Sequence, residues 1–211
     1  MTIALRSDDL LLVVDVQYDF LPGGNLAVAD GDQVIGPINA LGKAFSNVVL
    51  TQDWHPKGHI SFASSHPGKA PFETVQLSYG TQVLWPDHCV WGTKGAELSA
   101  ALDLPQAQLT IRKGYHPKVD SYSGLQEADR QTKTGLAGYL KERGIGRVFV
   151  TGLATDFCVN WTAQDAARAG FETYVVTDAC RGIASGTALE AAYAAMEAAG
   201  VARITSSEIA G

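Results

Sequence analysis

The chain has 211 residues, 46% of them hydrophobic and 18% charged, which fits one domain over 1–211 with a sizeable core. A formal net charge of −6 argues against a general nucleic-acid binder, and no apolar run of ~18 residues exists to span a membrane. Cys89, Cys158 and Cys180 show no paired spacing, and no basic-then-apolar leader opens the chain, so free thiols in a reducing cytoplasm are expected.

Residues 10–14 form a continuous apolar run and read as a strand buried on both faces. The run ends in Asp15. This carboxylate is either a turn acid beside Gln17 and Asp19 or an acid at the carboxyl end of a central strand, where open α/β sheets build their sites. A loop follows through Phe20-Leu21-Pro22-Gly23-Gly24, after which Val34, Ile35, Ile38, Leu41 and Phe45 keep helical spacing. Val48, Val49 and Leu50 give a second strand that ends in Thr51-Gln52-Asp53. Asp53 and His55, two apart on an extended segment, point to the same side and carry donors suited to Zn²⁺, Fe²⁺ or Mn²⁺. A polar surface loop accounts for the same residues. From about 53 to 93 no period is sustained, and so long an irregular stretch is usually functional. Near its end, Trp85-Pro86-Asp87-His88-Cys89 offers His88 as a third donor. Trp85 is either a core side chain or one wall of a pocket for a flat ligand.

Residues 109–112 read as a third strand closed by Lys113-Gly114. Composition favours a solvated loop lysine at Lys113, with an active-site cation as the alternative. Residues 115–124 are loop; His116 is expected to face solvent, and Tyr122 to form a gate or a surface turn. Leu136, Tyr139 and Leu140 mark a short helix that stops at Gly144. A strand over 148–150 then runs into Thr151-Gly152-Leu153-Ala154-Thr155-Asp156-Phe157-Cys158. Gly152 is expected to permit a sharp turn, and Thr155 to cap an Ala-rich helix that lasts until Gly170. Cys158 then falls in the first helical turn, where the dipole and unpaired N–H groups favour a thiolate and can hold an oxyanion. A small residue packed under the helix is the alternative. Residues 173–177 form a fifth strand closed by Asp178, with Cys180 in the loop beyond. Thr187-Ala188-Leu189-Glu190 reads as a capping box for a helix ending at Gly200, and 201–205 as a last strand.

Strands alternating with helices predict a three-layer α/β/α sandwich around a mainly parallel sheet of about six strands. Asp15, Asp53, Lys113 and the turn before Cys158 all follow the carboxyl ends of such strands, and those ends share one edge. Four separately ambiguous residues thereby become one candidate site.

With Asp15-Val16-Gln17-Tyr18-Asp19-Phe20, Asp53-Trp54-His55-Pro56, Trp85-Pro86-Asp87-His88-Cys89, Arg112-Lys113-Gly114, Tyr122-Ser123-Gly124 and the run from Gly152 to Val159, the chain resembles the nicotinamidase/pyrazinamidase family of isochorismatase-like cysteine hydrolases over nearly its full length. The resemblance implies a triad of Asp15, Lys113 and Cys158. It implies one divalent metal, Zn²⁺ foremost and otherwise Fe²⁺ or Mn²⁺, held by Asp53, His55 and His88. His59 is a further candidate ligand, because some members use an equivalent histidine. A cis peptide between Leu153 and Ala154 and an oxyanion hole of the Ala154 and Cys158 N–H groups are also implied. Phe20, Trp85, Tyr122 and Leu153 match ring-contacting positions.

The expected reaction is hydrolysis of nicotinamide to nicotinate and ammonia through a Cys158 thioester, in NAD salvage, with pyrazinamide as a second substrate. Neither a nucleic acid nor a membrane is an expected partner, and monomer and homo-oligomer both stay open. Two other readings stand beside this one. A cysteine hydrolase of the same superfamily acting on a carbamoyl or ureido substrate generally lacks the Asp53–His55–His88 set. A non-catalytic metal- or nicotinamide-binding protein does not need an intact Asp15, Lys113 and Cys158.

Overall fold

The computed structural model describes residues 2–210. In chain order its main elements are β1 (Ile3–Ala4), β2 (Asp9–Val14), α1 (Ile35–Gly42), β3 (Asn47–Asp53), β4 (Thr74–Leu77), β5 (Gly80–Val83), β6 (Leu109–Lys113), α2 (Leu136–Glu142), β7 (Arg147–Leu153), α3 (Asn160–Arg168), β8 (Glu172–Arg181), α4 (Thr187–Ala198), β9 (Ala202–Ile204) and β10 (Ile209–Ala210). Six strands form one sheet in the order β6-β3-β2-β7-β8-β9, and every neighbouring pair is parallel.

Strand period explains the layers. Leu11 and Val13 of β2 face one way and join Val48, Phe149 and the α1 residues Ile38 and Leu41 in one core. Leu10, Leu12 and Val14 face the other way and pack with Leu136 of α2, Ala163 of α3 and Met196 of α4. All six residues of β2 are buried, as its unbroken apolar run requires.

The chain builds outward from β2 to β3 and β6, then crosses back to place β7 on the other side of β2. The strand order therefore reverses between β2 and β7, and a crevice opens at their carboxyl ends. Asp15 and the Cys158 turn flank it. In the register of β3 with β6, Asp53 lies directly beside Lys113.

Several local expectations are corrected. Gly152 does not make the turn; it stays in β7 at a register shift, with φ +107°. A Cβ there would lie 2.1 Å from the Val14 carbonyl oxygen, so close strand approach accounts for this glycine. Thr155 makes no cap hydrogen bond, because residues Thr155–Val159 wind as one π-helical turn ahead of α3. Gly186 precedes α4 without a side-chain cap, and the chain's capping box lies instead at Thr205 and Glu208. Cys180 lies within β8, which continues four residues past Thr177 to Arg181. The irregular stretch contains an antiparallel hairpin, β4 with β5. No helix of the described residues is long and apolar enough to cross a membrane.

Candidate active site

Asp15 is the first residue past β2, and its φ of +49° turns the carboxyl into the crevice. Thr51 holds it there: the hydroxyl donates to Asp15 Oδ1 at 2.6 Å and accepts the Asp15 N–H at 3.2 Å. Oδ2 lies 2.8 Å from Lys113 Nζ yet makes no aligned hydrogen bond. It keeps a lone pair free in a fully buried place. Burial pushes the Asp15 pKa above the ordinary aspartate range; Lys113 opposes this and Asp53 adds to it.

Lys113 is the hub, and it is fully buried. Its ammonium donates to Asp53 Oδ1 at 2.5 Å, to the Ser121 carbonyl at 3.2 Å and to Cys158 Sγ at 3.4 Å, besides its pairing with Asp15. Burial works against its charge, but Asp15 and Asp53 outweigh burial and keep it a cation. The solvated-lysine reading is thus excluded. Burial also holds the Cys158 thiol well above its usual pKa while Lys113 pulls it down. The resting pair is a thiol beside a carboxylate with raised basicity. The Leu153–Ala154 peptide is cis, as the resemblance implied.

Asp53, His55 and His88 converge beside this hub. His55 Nε2 is 3.4 Å and His88 Nε2 3.7 Å from Asp53 Oδ2. The other ring nitrogen of each histidine donates to a backbone carbonyl: His55 Nδ1 to Gly114 and His88 Nδ1 to Pro86, both at 2.8 Å. Those bonds turn both Nε2 atoms toward the Asp53 carboxylate, the orientation that metal-ligating histidines take. One oxygen and two imidazole nitrogens suit Zn²⁺, Fe²⁺ or Mn²⁺. Asp15, Asp53 and Cys158 also cluster, but the Lys113 ammonium already sits among them.

His59 stacks on His55 at 4.3 Å, yet both its nitrogens are engaged elsewhere. Its Nδ1 accepts the Ser61 N–H at 3.3 Å, so Nε2 carries the proton and donates to the carbonyls of His116 and Val119. Burial and the neighbouring His55 lower its pKa to about 4, which keeps it neutral. His59 buttresses His55 and aims no lone pair at Asp53.

A narrow pocket opens over Cys158. Phe20, Trp85 and Tyr122 line it. Tyr122 is fixed by donors from Trp85 Nε1 at 3.0 Å and Gln82 Nε2 at 2.6 Å. Leu153 does not line it; the side chain is fully buried in the core, next to Gly31. Its place at the end of β7, with side chains alternating across the sheet, turns it inward. The lining also includes Leu26, Asp120, Phe157 and Ile183. None of these was singled out in the sequence as pocket-forming; only the position of Phe157 beside Cys158 offered a signal.

Residues 9–208 match the family model "Isochorismatase domain". The nicotinamidase of Acinetobacter baylyi is 62% identical over 199 residues, 94% of this chain and 93% of that protein. The chain belongs to the nicotinamidase branch of the isochorismatase family. A solved nicotinamidase/pyrazinamidase of Acinetobacter baumanii superposes with a TM-score of 0.94 at 59% identity, covering 96% of this chain and 98% of that one. The pyrazinamidase of Pyrococcus horikoshii, solved in complex with zinc, superposes at 0.77 with 36% identity, covering 94% and 99%. For a nicotinamidase-branch chain, the similarity extends through every strand that carries the site, since the matched span begins at β2 and passes β9.

Proposed function

We propose that this protein hydrolyses nicotinamide to nicotinate and ammonia with Cys158 as nucleophile. The observation that carries this reading is the fully buried Lys113 ammonium, set between Asp15, Asp53 and the Cys158 sulfur beneath an aromatic-walled cavity. The high family identity supports the substrate.

Asp15 accepts the Cys158 proton on its free oxygen, and Lys113 stabilises the negative charges on both. The thiolate attacks the carboxamide carbon, forming a C–S bond as the carbonyl electrons move to oxygen. The Ala154 and Cys158 N–H groups hold that oxyanion, each contributing ~3 kcal/mol. Asp15 then protonates the nitrogen as the C–N bond breaks and ammonia leaves. A water gives its proton to Asp15, attacks the thioester and releases nicotinate; the sulfur recovers its proton from Asp15. Phe20, Trp85 and Tyr122 orient the flat ring.

Asp53, His55 and His88 would hold a divalent ion, Zn²⁺ first. Such an ion, when bound, supplies a Lewis-acid partner for the ring nitrogen. His59 serves as support for His55 rather than as a ligand. Pyrazinamide, nearly isosteric with nicotinamide, is a second substrate. The three unpaired thiols fit the reducing cytoplasm, and the whole chain acts as one catalytic domain in NAD salvage.

Ammonia release from nicotinamide, measured on wild type and Cys158→Ala with metal content assayed on both, tests the reading. Wild type turns over, and Cys158→Ala loses at least ~10⁴-fold while keeping its metal. Retained activity in Cys158→Ala overturns the thiol mechanism. A metallated wild type that ignores nicotinamide but cleaves ureido or carbamoyl compounds overturns the substrate.

A further inference from the structure

The pocket wall has one side chain whose place depends on a single carboxylate outside the triad. Ile183 lines the cavity and is half-buried at its edge, on the segment that leaves β8. That segment is tied down by Asp156, two residues before Cys158. Asp156 Oδ1 accepts the Ile183 N–H at 2.9 Å, and Oδ2 accepts the Ala184 N–H at 2.8 Å. Among the described residues, no other side chain hydrogen-bonds the backbone of 182–186. Gly182 makes the approach feasible: a Cβ there would lie 3.2 Å from Asp156 Oδ1 and 2.8 Å from Leu189 Cδ1. Both carboxylate oxygens are thus engaged by adjacent N–H groups, a charge-assisted pair that fixes position as well as distance.

The aromatic part of the wall is cross-braced by its own side chains. Trp85 and Tyr122 are tied to each other and to Gln82, and Phe157 meets Trp85 edge-on at 4.8 Å. Ile183 has only its packing and the Asp156 latch.

We infer that Ile183 is a specificity-determining residue for the ring of the amide, and that Asp156 is the positioning residue that holds it there. Ile183 rejects substituents on the ring edge it faces. The inference rests on the amide-hydrolase reading of the cavity.

The test is kcat and KM for nicotinamide and its four ring-methyl derivatives on wild type, Ile183→Ala, Ile183→Trp, Asp156→Asn and Asp156→Ala. Ile183→Ala raises the kcat/KM of at least one methyl derivative relative to nicotinamide by about tenfold, the discrimination one methyl group allows. The ring position that gains marks the edge facing Ile183. Ile183→Trp raises KM for nicotinamide itself. Asp156→Ala relaxes discrimination at the same ring position, mainly through KM, and Asp156→Asn, which keeps one acceptor oxygen, lies between. Amide hydrogen exchange of Ile183 and Ala184 accelerates at least tenfold in Asp156→Ala, while exchange within β7 is unchanged.

Unchanged discrimination in both Ile183 variants overturns the wall. Unchanged exchange in Asp156→Ala overturns the latch. A collapse of kcat for every substrate in Asp156→Ala, without altered discrimination, shows that Asp156 acts on the Cys158 turn and likewise overturns it. If wild type leaves nicotinamide intact, the amide-hydrolase reading fails, and exchange at Ile183 and Ala184 still decides the latch.

Discussion

The central strand β2 begins with one aspartate, Asp9, and is followed directly by another, Asp15, and each faces a buried cation. At the amino end, Arg147 grips Asp9 through Nε and Nη2, both at 2.6 Å, and its Nη2 also donates to the Ala4 carbonyl. Asp9 further accepts the Arg6 N–H. Guanidinium fork and carboxylate match one to one, and this cluster has no reacting atom to serve. At the carboxyl end, Lys113 faces two carboxylates and a thiol, and one oxygen of Asp15 stays unsatisfied. The same sheet thus holds a saturated ion pair and an unsaturated one. Saturation gives stability, whereas a free lone pair on a buried, basic carboxylate gives chemistry.

Breaking the unsaturated end has the largest effect. Asp15→Asn and Lys113→Met each reduce nicotinate formation by at least ~10³-fold. They part in stability. Lys113→Met leaves Asp15 and Asp53 buried without their cation and destabilises by about 3–5 kcal/mol. Asp15→Asn removes a charge that burial disfavours and does not lower the denaturation midpoint at pH 7. A clear loss of stability in Asp15→Asn would show that the carboxylate stabilises the fold and that the contrast is false.

Breaking the saturated end does the reverse. Arg147→Leu costs about 3–5 kcal/mol in urea unfolding, because the buried Asp9 loses its bidentate partner and keeps only the Arg6 N–H and the half-exposed Arg6 guanidinium at 3.8 Å. Its folded fraction keeps kcat/KM within about twofold. An activity loss in step with Lys113→Met would mean that the two clusters are coupled through β2.

Glu127 sharpens the contrast on a smaller scale. It is buried behind the site, its Oε2 has no partner, and burial pushes its pKa up to about 7 from an unfolded value of 4.5. The folded protein therefore binds this proton more tightly than the unfolded chain does. The stability this contributes is complete below pH 4.5 and is lost as pH rises through about 7. Glu127→Gln removes the loss. It is more stable than wild type at pH 8 by ~1–3 kcal/mol and nearly equal to it at pH 4.5, as thermal melts at the two pH values will read. The smallest effect is in rate. The acid limb of kcat/KM lies above the ordinary aspartate range, because Asp15 must be ionised and its pKa is raised.

What could be read from the chain alone follows the strength of the local signal. The apolar runs of β2, β3 and β7 are unbroken because both sheet faces are covered, so their carboxyl ends, and with them Asp15, Asp53 and Cys158, were legible. The hairpin of β4 and β5 was not: its residues are mostly half-exposed or exposed, and Ser78-Tyr79 lacks the usual turn glycine or asparagine between the strands. Thr155 was misread because a cap signature takes no account of a π turn ahead of the helix. Leu153 followed from resemblance alone, while the strand's pleat turns it into the core. Asp120 and Ile183 reach the cavity from irregular segments, whose direction no period encodes.

The placement of β2 between β3 and β7 also governs how the chain is made. One edge of β2 pairs with a strand that follows within the first 53 residues, but the other waits for residues 147–152. Until β7 leaves the ribosome, six apolar-rich residues of the nascent chain present an unpaired edge of N–H and C=O groups, the kind of template that recruits another chain. The contacts that build the catalytic crevice are thus the same late, long-range contacts that end this vulnerability. Synthesis that stalls before β7 should yield aggregates, and the active site and protection from aggregation arrive together.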